Sequence, residues 1–280
     1  MLIDTHAHLD FPEFASDFDE VLSRAAAAGV DRIITIGTSI EGSRRAVDLA
    51  ERHKNVFATI GVHPNAARDT PEDAIAPLRE LARSSRVVAI GEIGFDYHRL
   101  ETAQRDPSSN LEALGGQAEV HFSVDDAAAK NAQAAVFEQQ LDLAVELGLN
   151  VVIHERDAWS DTLDMLRPYA GKVRAVFHCF GKSVDLAREV LAMGHLVSFT
   201  GIVTFKKATV VQQTAAHVPD GSFMVETDCP FLAPVPFRGK RCEPAHTRAT
   251  AERLAQLRGT SLETIAEQTT RVASAFFRFP

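Results

Sequence analysis

The sequence predicts a single-domain α/β protein that folds as a TIM-like (β/α)8 barrel over residues 1–280. Short runs rich in valine and isoleucine alternate with longer amphipathic stretches along the whole chain. The apolar runs do not alternate with polar residues, which is typical of parallel strands buried on both faces. A length of 280 residues is also close to the ~250 that one such barrel needs. An open, doubly wound sheet is the alternative fold.

Eight apolar runs predict the strands, at residues 2–4, 30–36, 56–60, 87–90, 151–153, 173–177, 196–199 and 223–226. The amphipathic stretches between them predict helices, several of which end just before a glycine that suits a helix C-terminus. The clearest helical patterns cover residues 14–28, 135–147, 184–192, 247–257 and 262–277.

One polar segment, at about residues 99–130, interrupts this alternation between the fourth strand and its helix. It contains Pro107, Gly115 and Gly116, and acidic residues are frequent in it. Loops of this length are usually functional or disordered, and a tolerated surface insertion is the simplest interpretation. No shift in composition elsewhere indicates a second domain.

The net charge of −9 argues against a broad basic surface that wraps nucleic acid. It is compatible with an enzyme that binds phosphates through metal cations and a few local basic side chains.

The three cysteines fit neither a disulfide framework nor a CxxC zinc site, which favours a reducing, cytoplasmic location. The N-terminus does not resemble a signal peptide, no apolar run approaches the ~20 residues that span a bilayer, and no obligate protein partner is indicated.

Side chains that commonly bind metals follow several of the predicted strands, at the end where β/α barrels place their active sites. They are His6, His8, Glu92, His154, His178 and Asp228. His6 and His8 are two residues apart, so an extended chain points both rings the same way. Glu92 follows four apolar residues, where an unpaired carboxylate would be costly to bury. His63 follows the third strand in Gly-Val-His-Pro, as either a turn residue or a functional one.

This set of imidazoles and carboxylates predicts two divalent cations. Six ligands exceed what one four-coordinate zinc needs, so two ions that share a carboxylate fit better. The donor types suit Mg, Mn or Zn. Paired ions of this kind suit the hydrolysis of phosphate esters.

Basic residues follow strands five, seven and eight, and we expect them on the same rim. Those predicted to bind an anionic substrate are Arg156, Lys206, Arg238 and Lys240, with Lys207 and Arg241 beside them. A solvated charge cluster is the alternative interpretation.

Cys229, next to Asp228, is interpreted as a packing residue rather than a nucleophile. The sequence has no Walker loop, no GxGxxG after a strand and no GxSxG.

Together these motifs resemble those of the TatD family of metal-dependent deoxyribonucleases, among the amidohydrolase-like barrels. The matching stretches are IDTHAHLD at 3–10, GVHP at 61–64, GEIGFDYH at 91–98, VIHERDA at 152–158, FHCFGK at 177–182, FTGIVTFKKA at 199–208, ETDCPFLAP at 226–234 and RGKRCEPAH at 238–246. They occur in family order over nearly the whole chain.

The resemblance implies a TIM-like barrel, divalent metals and 3′–5′ exonuclease action on DNA that is single-stranded or has exposed ends. It implies that one metal is held by His6, His8, Glu92 and Asp228. It implies that Glu92 also bridges to a second metal, held by His154 and His178. His63 would lie near the scissile phosphate. In the resulting mechanism Asp228, Glu92 and His63 are the catalytic residues, and Asp228 orients and deprotonates the attacking water.

Some positions depart from the family pattern. Cys229 stands where the family usually has serine, Cys242 where it has asparagine, and Phe237 where it often has a polar residue. HCFGK replaces the commoner HCFSG, and the segment at about 99–130 is longer than usual. None of these changes removes a ligand. The segment at about 99–130 and Phe237 are expected near the mouth of the barrel, so they bear on the choice of substrate more than on metal binding.

Two other functions remain open from the sequence. One is a barrel hydrolase that acts on an amide, a lactone or a phosphotriester. Glu92 weakens that interpretation because related barrels often carry a carboxylated lysine at this place. The other is a metal-binding protein without enzymatic activity.

Overall fold

The computed structural model describes residues 1–71, 73–98, 100 and 124–280. Eight parallel strands form one sheet in chain order. They are β1 (Leu2–Ala7), β2 (Val30–Ile36), β3 (Val56–Ile60), β4 (Val87–Asp96), β5 (Asn150–Arg156), β6 (Ala175–Phe177), β7 (Leu196–Phe199) and β8 (Phe223–Val225). Ala7 forms a parallel bridge with Cys229, just beyond β8. The sheet is therefore a nearly closed barrel, which confirms the predicted fold class and excludes the doubly wound alternative.

Helices follow the strands and surround the barrel. Within the described ranges they are α1 (Phe18–Ala27), α2 (Ile40–Arg52), α3 (Ile75–Leu81), α4 (Val124–Leu147), α5 (Trp159–Leu166), α6 (Val184–Ala192), α7 (Thr209–His217), α8 (Thr247–Arg258) and α9 (Leu262–Phe277). None of these helices is both long enough and apolar enough to cross a membrane.

The inside of the barrel is filled by an apolar cluster to which every strand contributes. Its strand members are Ile3, Ile34, Ile36, Phe57, Val88, Ala89, Val152, Val176, Leu196 and Met224. Phe276 and Phe277 of α9 join the same cluster, and the Phe276 carbonyl accepts a hydrogen bond from Asn150, the first residue of β5. Helix α9 thus covers the amino ends of the strands and leaves the carboxyl ends free for a site.

Three strands run further than their apolar residues predict. β1 extends to Ala7, β4 to Asp96 and β5 to Arg156. The pairing of β4 with β5 continues through the polar residues, with Gly94 opposite His154. Parallel pairing is made by the backbone, so it persists where polar side chains face one another. His6, Glu92 and His154 therefore lie within strands, where the sequence placed them after strands.

Two predicted helix boundaries were wrong. α4 begins at Val124, so the end of the polar segment at 99–130 is helical. The run VDDAAAKNAQAA is rich in alanine, the strongest helix former, which outweighs its weak apolar pattern. Residues 99 and 101–123 of that segment lie outside the described residues. The first helix begins at Phe18 rather than residue 14, because a separate 3₁₀ turn occupies Pro12–Phe14.

Candidate metal centre

The structure brings the predicted ligands together at the carboxyl end of the barrel, with Glu92 in the middle. Glu92 Oε1 lies 2.7 Å from His154 Nδ1 and 2.9 Å from His178 Nε2. Its Oε2 lies 3.5 Å from His6 Nε2 and 3.9 Å from His8 Nε2. Each oxygen of this one carboxylate therefore faces a different pair of imidazoles.

Asp228 completes the cluster on the side of β1. Its Oδ1 lies 3.3 Å from His8 Nε2 and 3.7 Å from His6 Nε2. Its backbone amide donates to the His6 carbonyl at 2.9 Å, and the His8 amide donates to the Cys229 carbonyl at 2.8 Å. The Asp228 backbone has φ 62°, in the left-handed region that aspartate tolerates better than most residues. These bonds hold the three ligands together where the barrel closes.

The donor set fits divalent metal ions. Three overlapping groups each have ligand atoms within 4.8 Å of one another: His6, His8 and Asp228; His6, Glu92 and His178; and His63, Glu92 and His154. Among the described residues, His6 Nε2, which faces both Glu92 and Asp228, is buried without a hydrogen-bond partner. Buried polar atoms are nearly always paired, so an unpaired nitrogen that faces two carboxylates indicates a ligand. Imidazole and carboxylate together suit Zn and Mn, and carboxylates also suit Mg.

The charges in the cluster agree with metal binding. Burial raises the pKa of Glu92, but the neighbouring histidines, His178 foremost, outweigh burial and hold this pKa well below its usual value. Burial also raises the pKa of Asp228, and His8 and His6 outweigh it in the same way. Burial lowers the pKa of His6, and the charge of His178 lowers it further. Both carboxylates are thus anions and His6 is neutral, the forms that bind metals. Burial lowers the pKa values of His8 and His178, but Asp228 and Glu92 outweigh it and raise them, so metal binding at these rings would displace protons.

Comparison with known proteins identifies the family. The sequence matches the family model for TatD related DNase over residues 3–278. The chain belongs to this family. It is 38% identical over 279 residues to the "uncharacterized metal-dependent hydrolase YabD" of Bacillus subtilis (strain 168), an alignment that covers 99% of each chain.

The chain is also similar to a relative named as an exonuclease and to a solved structure of a TatD homologue. It is 32% identical to the "3'-5' ssDNA/RNA exonuclease TatD" of Enterobacter lignolyticus, over 96% of this chain and 95% of that one. The crystal structure of YJJV, a TatD homologue from Escherichia coli K12, superposes with a TM-score of 0.83 at 27% identity. That match covers 100% of this chain and 98% of the other. The resemblance inferred from the motifs is confirmed, and the chain is a member of a family of metal-dependent hydrolases.

His63 lies in the same cluster of the TatD chain. Its Nε2 is 3.4 Å from Glu92 Oε1, and its ring centroid is 4.3 Å from that of His154. Its Nδ1 accepts a hydrogen bond from the Asn65 amide at 3.0 Å, which leaves the ring proton on Nε2. Burial lowers the pKa of His63, so the ring is neutral. His63 is therefore close enough to Glu92 to be either a ligand or a hydrogen-bond donor to substrate.

Sequence reasoning missed Asp96 as a site residue. Asp96 Oδ2 lies 3.1 Å from His154 Nε2. The Gln133 side chain accepts a hydrogen bond from the Asp96 backbone amide and donates one to the Asp96 backbone carbonyl, each at 3.0 Å. Residues four apart in a strand point to the same face, so a longer fourth strand would have placed Asp96 beside Glu92.

Glu226 and Asp4 were also missed as site residues. Glu226 contacts the ligand His178, and Asp4 contacts Thr227, the neighbour of the ligand Asp228. Glu226 Oε1 accepts a hydrogen bond from the Cys179 amide at 2.6 Å and lies 3.7 Å from His178 Nδ1. Asp4 accepts hydrogen bonds from the Thr227 hydroxyl at 2.7 Å and the Thr227 amide at 2.9 Å. Burial raises the pKa of Asp4 to about 7, although the bonds from Thr227 oppose this shift. Asp4 and Glu226 are the last residues of the predicted strands at 2–4 and 223–226, but no spacing in the sequence distinguishes them from turn residues.

The predicted substrate-binding cations are all exposed, namely Arg156, Lys206, Arg238 and Lys240. Arg156 ends β5 opposite Asp96 and is close enough to help lower the pKa of that carboxylate, against the effect of burial. The Arg238 guanidinium carbon lies 3.7 Å from the centroid of the Phe205 ring. Phe205 is the residue directly before Lys206, so Arg238 and Lys206 are near each other. Their role toward substrate stays a prediction.

Arg241 differs from these exposed cations. Its guanidinium pairs with Asp17 at 2.7 Å and with Glu243 at 2.8 Å, so its charge is already compensated.

Two positions that depart from the family pattern have packing contacts. Phe237 stacks on His246 with ring centroids 4.0 Å apart. Cys229 is buried, and burial raises its thiol pKa well above the usual value. A thiol in this environment is a packing group rather than a nucleophile.

Proposed function

We propose that this TatD-family chain hydrolyses phosphodiester bonds of DNA in the 3′–5′ direction, from single-stranded or exposed ends. The observation that carries the proposal is Glu92, whose two oxygens face separate groups of imidazoles. Such a carboxylate suits two divalent cations, of Mg, Mn or Zn, and paired cations suit phosphate-ester hydrolysis. The Enterobacter lignolyticus relative, named as an exonuclease of ssDNA and RNA, points to the same substrate class.

In this proposal the ligands divide between two positions that share Glu92. His6, His8 and Asp228 would hold one cation. His154 and His178, whose Nδ1 and Nε2 atoms lie 3.2 Å apart, would hold the other. When bound, such cations polarise phosphate oxygens and make water acidic enough to attack near neutral pH.

Asp228 is the residue that orients and deprotonates the attacking water. It is an anion, and its side chain is 15% exposed against 5% for Glu92, so it is the carboxylate that water reaches more easily. Glu92, more deeply buried, holds the ligands in place. His63 keeps its proton on Nε2 because Nδ1 accepts from the Asn65 amide. It can therefore donate a hydrogen bond to a phosphate oxygen that enters the cluster.

The exposed cations bind the DNA backbone on either side of the reacting phosphate. Arg156, Lys206, Arg238 and Lys240 supply local positive charge to a chain whose net charge is −9. Contacts of this type fix the position of a nucleic acid and do not read its sequence. The substrate would therefore be chosen by its free end and single-stranded form.

The experiment is digestion of single-stranded DNA labelled at its 3′ or 5′ end, with a divalent cation or with EDTA. We expect metal-dependent release of mononucleotides from the 3′ end. His6→Ala, Glu92→Ala and Asp228→Asn should lose turnover while keeping their far-UV circular dichroism. His217→Ala, an exposed histidine at the end of α7, is the matched control and should retain turnover. Wild-type rates in all three site variants would overturn the proposal. Cleavage of lactones or amides without cleavage of any oligonucleotide would point instead to the other hydrolase class.

A further inference from the structure

Two phenylalanines lie beside the metal-binding cluster on the side of His8. The Phe11 ring stacks on His8 with centroids 4.8 Å apart and planes at 29°. The Phe231 ring lies 6.3 Å from His8 and 6.0 Å from Phe11, nearly perpendicular to Phe11 at 82°. We call Phe11 and Phe231 the aromatic pair.

The backbone ties each ring of the aromatic pair to a ligand. The Phe11 amide donates a hydrogen bond to the His8 carbonyl at 3.2 Å. The Phe231 amide donates to the Asp228 carbonyl at 3.0 Å. Each phenylalanine thus closes a turn that begins at a ligand, three residues earlier in the chain. The positions of both rings are fixed relative to the site.

Phe231 is exposed in a way that packing does not explain. Half of its surface, 50%, is accessible, and it is the one aromatic among the exposed large apolar side chains of the described residues. Phe11 is half-buried and contacts both His8 and Phe231. The exposed Phe231 ring and the partly exposed Phe11 ring therefore lie next to each other and to the ligand His8, beside the place where a phosphate would react.

We propose that the aromatic pair stacks a nucleobase next to the scissile phosphate. This inference rests on the proposed function and adds a base subsite to it. Aromatic side chains bind single strands in this way without sequence preference, because every base offers a π face. A base in a duplex already stacks on its neighbours, so the subsite favours an unpaired end. It also gives an acidic chain a source of affinity for DNA that does not depend on charge.

The test compares two oligothymidylates, one intact and one with tetrahydrofuran abasic analogues in its last two 3′ positions. We expect the wild-type enzyme to show a kcat/KM roughly tenfold higher for the intact oligonucleotide, as expected for one stacked base. Phe231→Ala and Phe231→Leu should bring this ratio close to one, since neither retains a ring. Phe231→Tyr should keep the ratio. Val235→Ala is the matched control, because Val235 is 49% exposed in the same loop and should keep the ratio too.

The two proposals fail in different ways. An unchanged ratio in Phe231→Leu, with DNA still cleaved, overturns the base subsite and leaves the nuclease assignment intact. A wild-type ratio close to one has the same meaning. If the wild-type enzyme cleaves neither oligonucleotide under any divalent metal, both proposals are overturned.

Discussion

The Asp96 carboxylate lies 3.1 Å from Nε2 of His154, at the ring nitrogen that does not face Glu92. Nδ1 of the same ring lies 2.7 Å from Glu92 Oε1. Burial lowers the pKa of His154, but Asp96 and Glu92 outweigh it and raise this pKa to about 10. A cation held by His154 Nδ1 would therefore displace a proton there and leave Nε2–H to donate to Asp96. Carboxylates behind metal-binding histidines orient the ring and increase its basicity in this way.

Asp96→Asn should weaken metal binding without removing a ligand. Loss of the carboxylate behind a ligating histidine typically lowers metal affinity or activity about 10- to 100-fold. Titration with Mn²⁺ measures the change. Asp164→Asn, in an exposed pair with Arg167, is the control and should bind like the wild type. An affinity for Asp96→Asn within twofold of the wild type would contradict the role of Asp96.

Arg238→Ala and Lys206→Ala should weaken binding of single-stranded DNA and reduce its salt dependence. For every phosphate that a variant no longer neutralises, the slope of log affinity against log salt should become shallower by about 0.7. Fluorescence anisotropy with a labelled oligonucleotide, at several salt concentrations, gives these slopes. Arg188→Ala, an exposed arginine paired with Asp185, should leave the slope as in the wild type. Slopes that do not change in Arg238→Ala and Lys206→Ala would show that Arg238 and Lys206 are solvated charges.

Gln140→Leu should destabilise the fold through the loop that carries His63. The Gln140 amide accepts a hydrogen bond from the Val62 amide at 2.7 Å and donates to the Val62 carbonyl at 3.1 Å. An unpaired buried polar group costs about 1–3 kcal/mol, so the free energy of unfolding should fall by at least about 2 kcal/mol. Urea unfolding measures this. Gln139→Leu, at the adjacent exposed position, should change the free energy of unfolding much less.

His195 should make the metal-free protein sensitive to acid. It is buried, its Nδ1 accepts from the Ala175 amide, and burial followed by the charge of Arg174 lowers its pKa to about 4 from the usual 6.5. The unfolded chain takes up this proton near pH 6.5 but the folded chain does not. Stability from His195 is therefore complete above pH 6.5 and is lost as the pH falls toward 4.

The measurement is urea unfolding of the wild type and His195→Gln in EDTA at pH 7.5 and pH 5. Between pH 7.5 and pH 5, the free energy of unfolding of the wild type should fall by about 2 kcal/mol more than that of the variant. The reason is that only the wild type carries this titrating group. Equal losses in the two proteins would show that the His195 pKa is not lowered in the folded state.

Much of the site could be predicted from the sequence because barrel geometry is simple. Parallel strands all end on one side, so His6, Glu92 and Asp228 had to converge once their strands were recognised. Asp96 was missed because hydropathy ends the fourth strand at residue 90, whereas backbone pairing continues to Asp96. The aromatic pair could not be predicted, because its geometry depends on two turns from opposite ends of the chain. Arg241 was assigned to the rim because nothing in its sequence neighbourhood reveals Asp17 as its partner.

We propose that one buried carboxylate, Glu92, binds two cations at once. Isothermal titration with Mn²⁺ tests it directly, by counting the ions bound per chain in the wild type and in Glu92→Gln. We predict two ions in the wild type. We predict no more than one in the variant, because an amide offers one acceptor oxygen where the carboxylate offers two. Two ions in Glu92→Gln, or none in the wild type, would contradict the bridging role of Glu92.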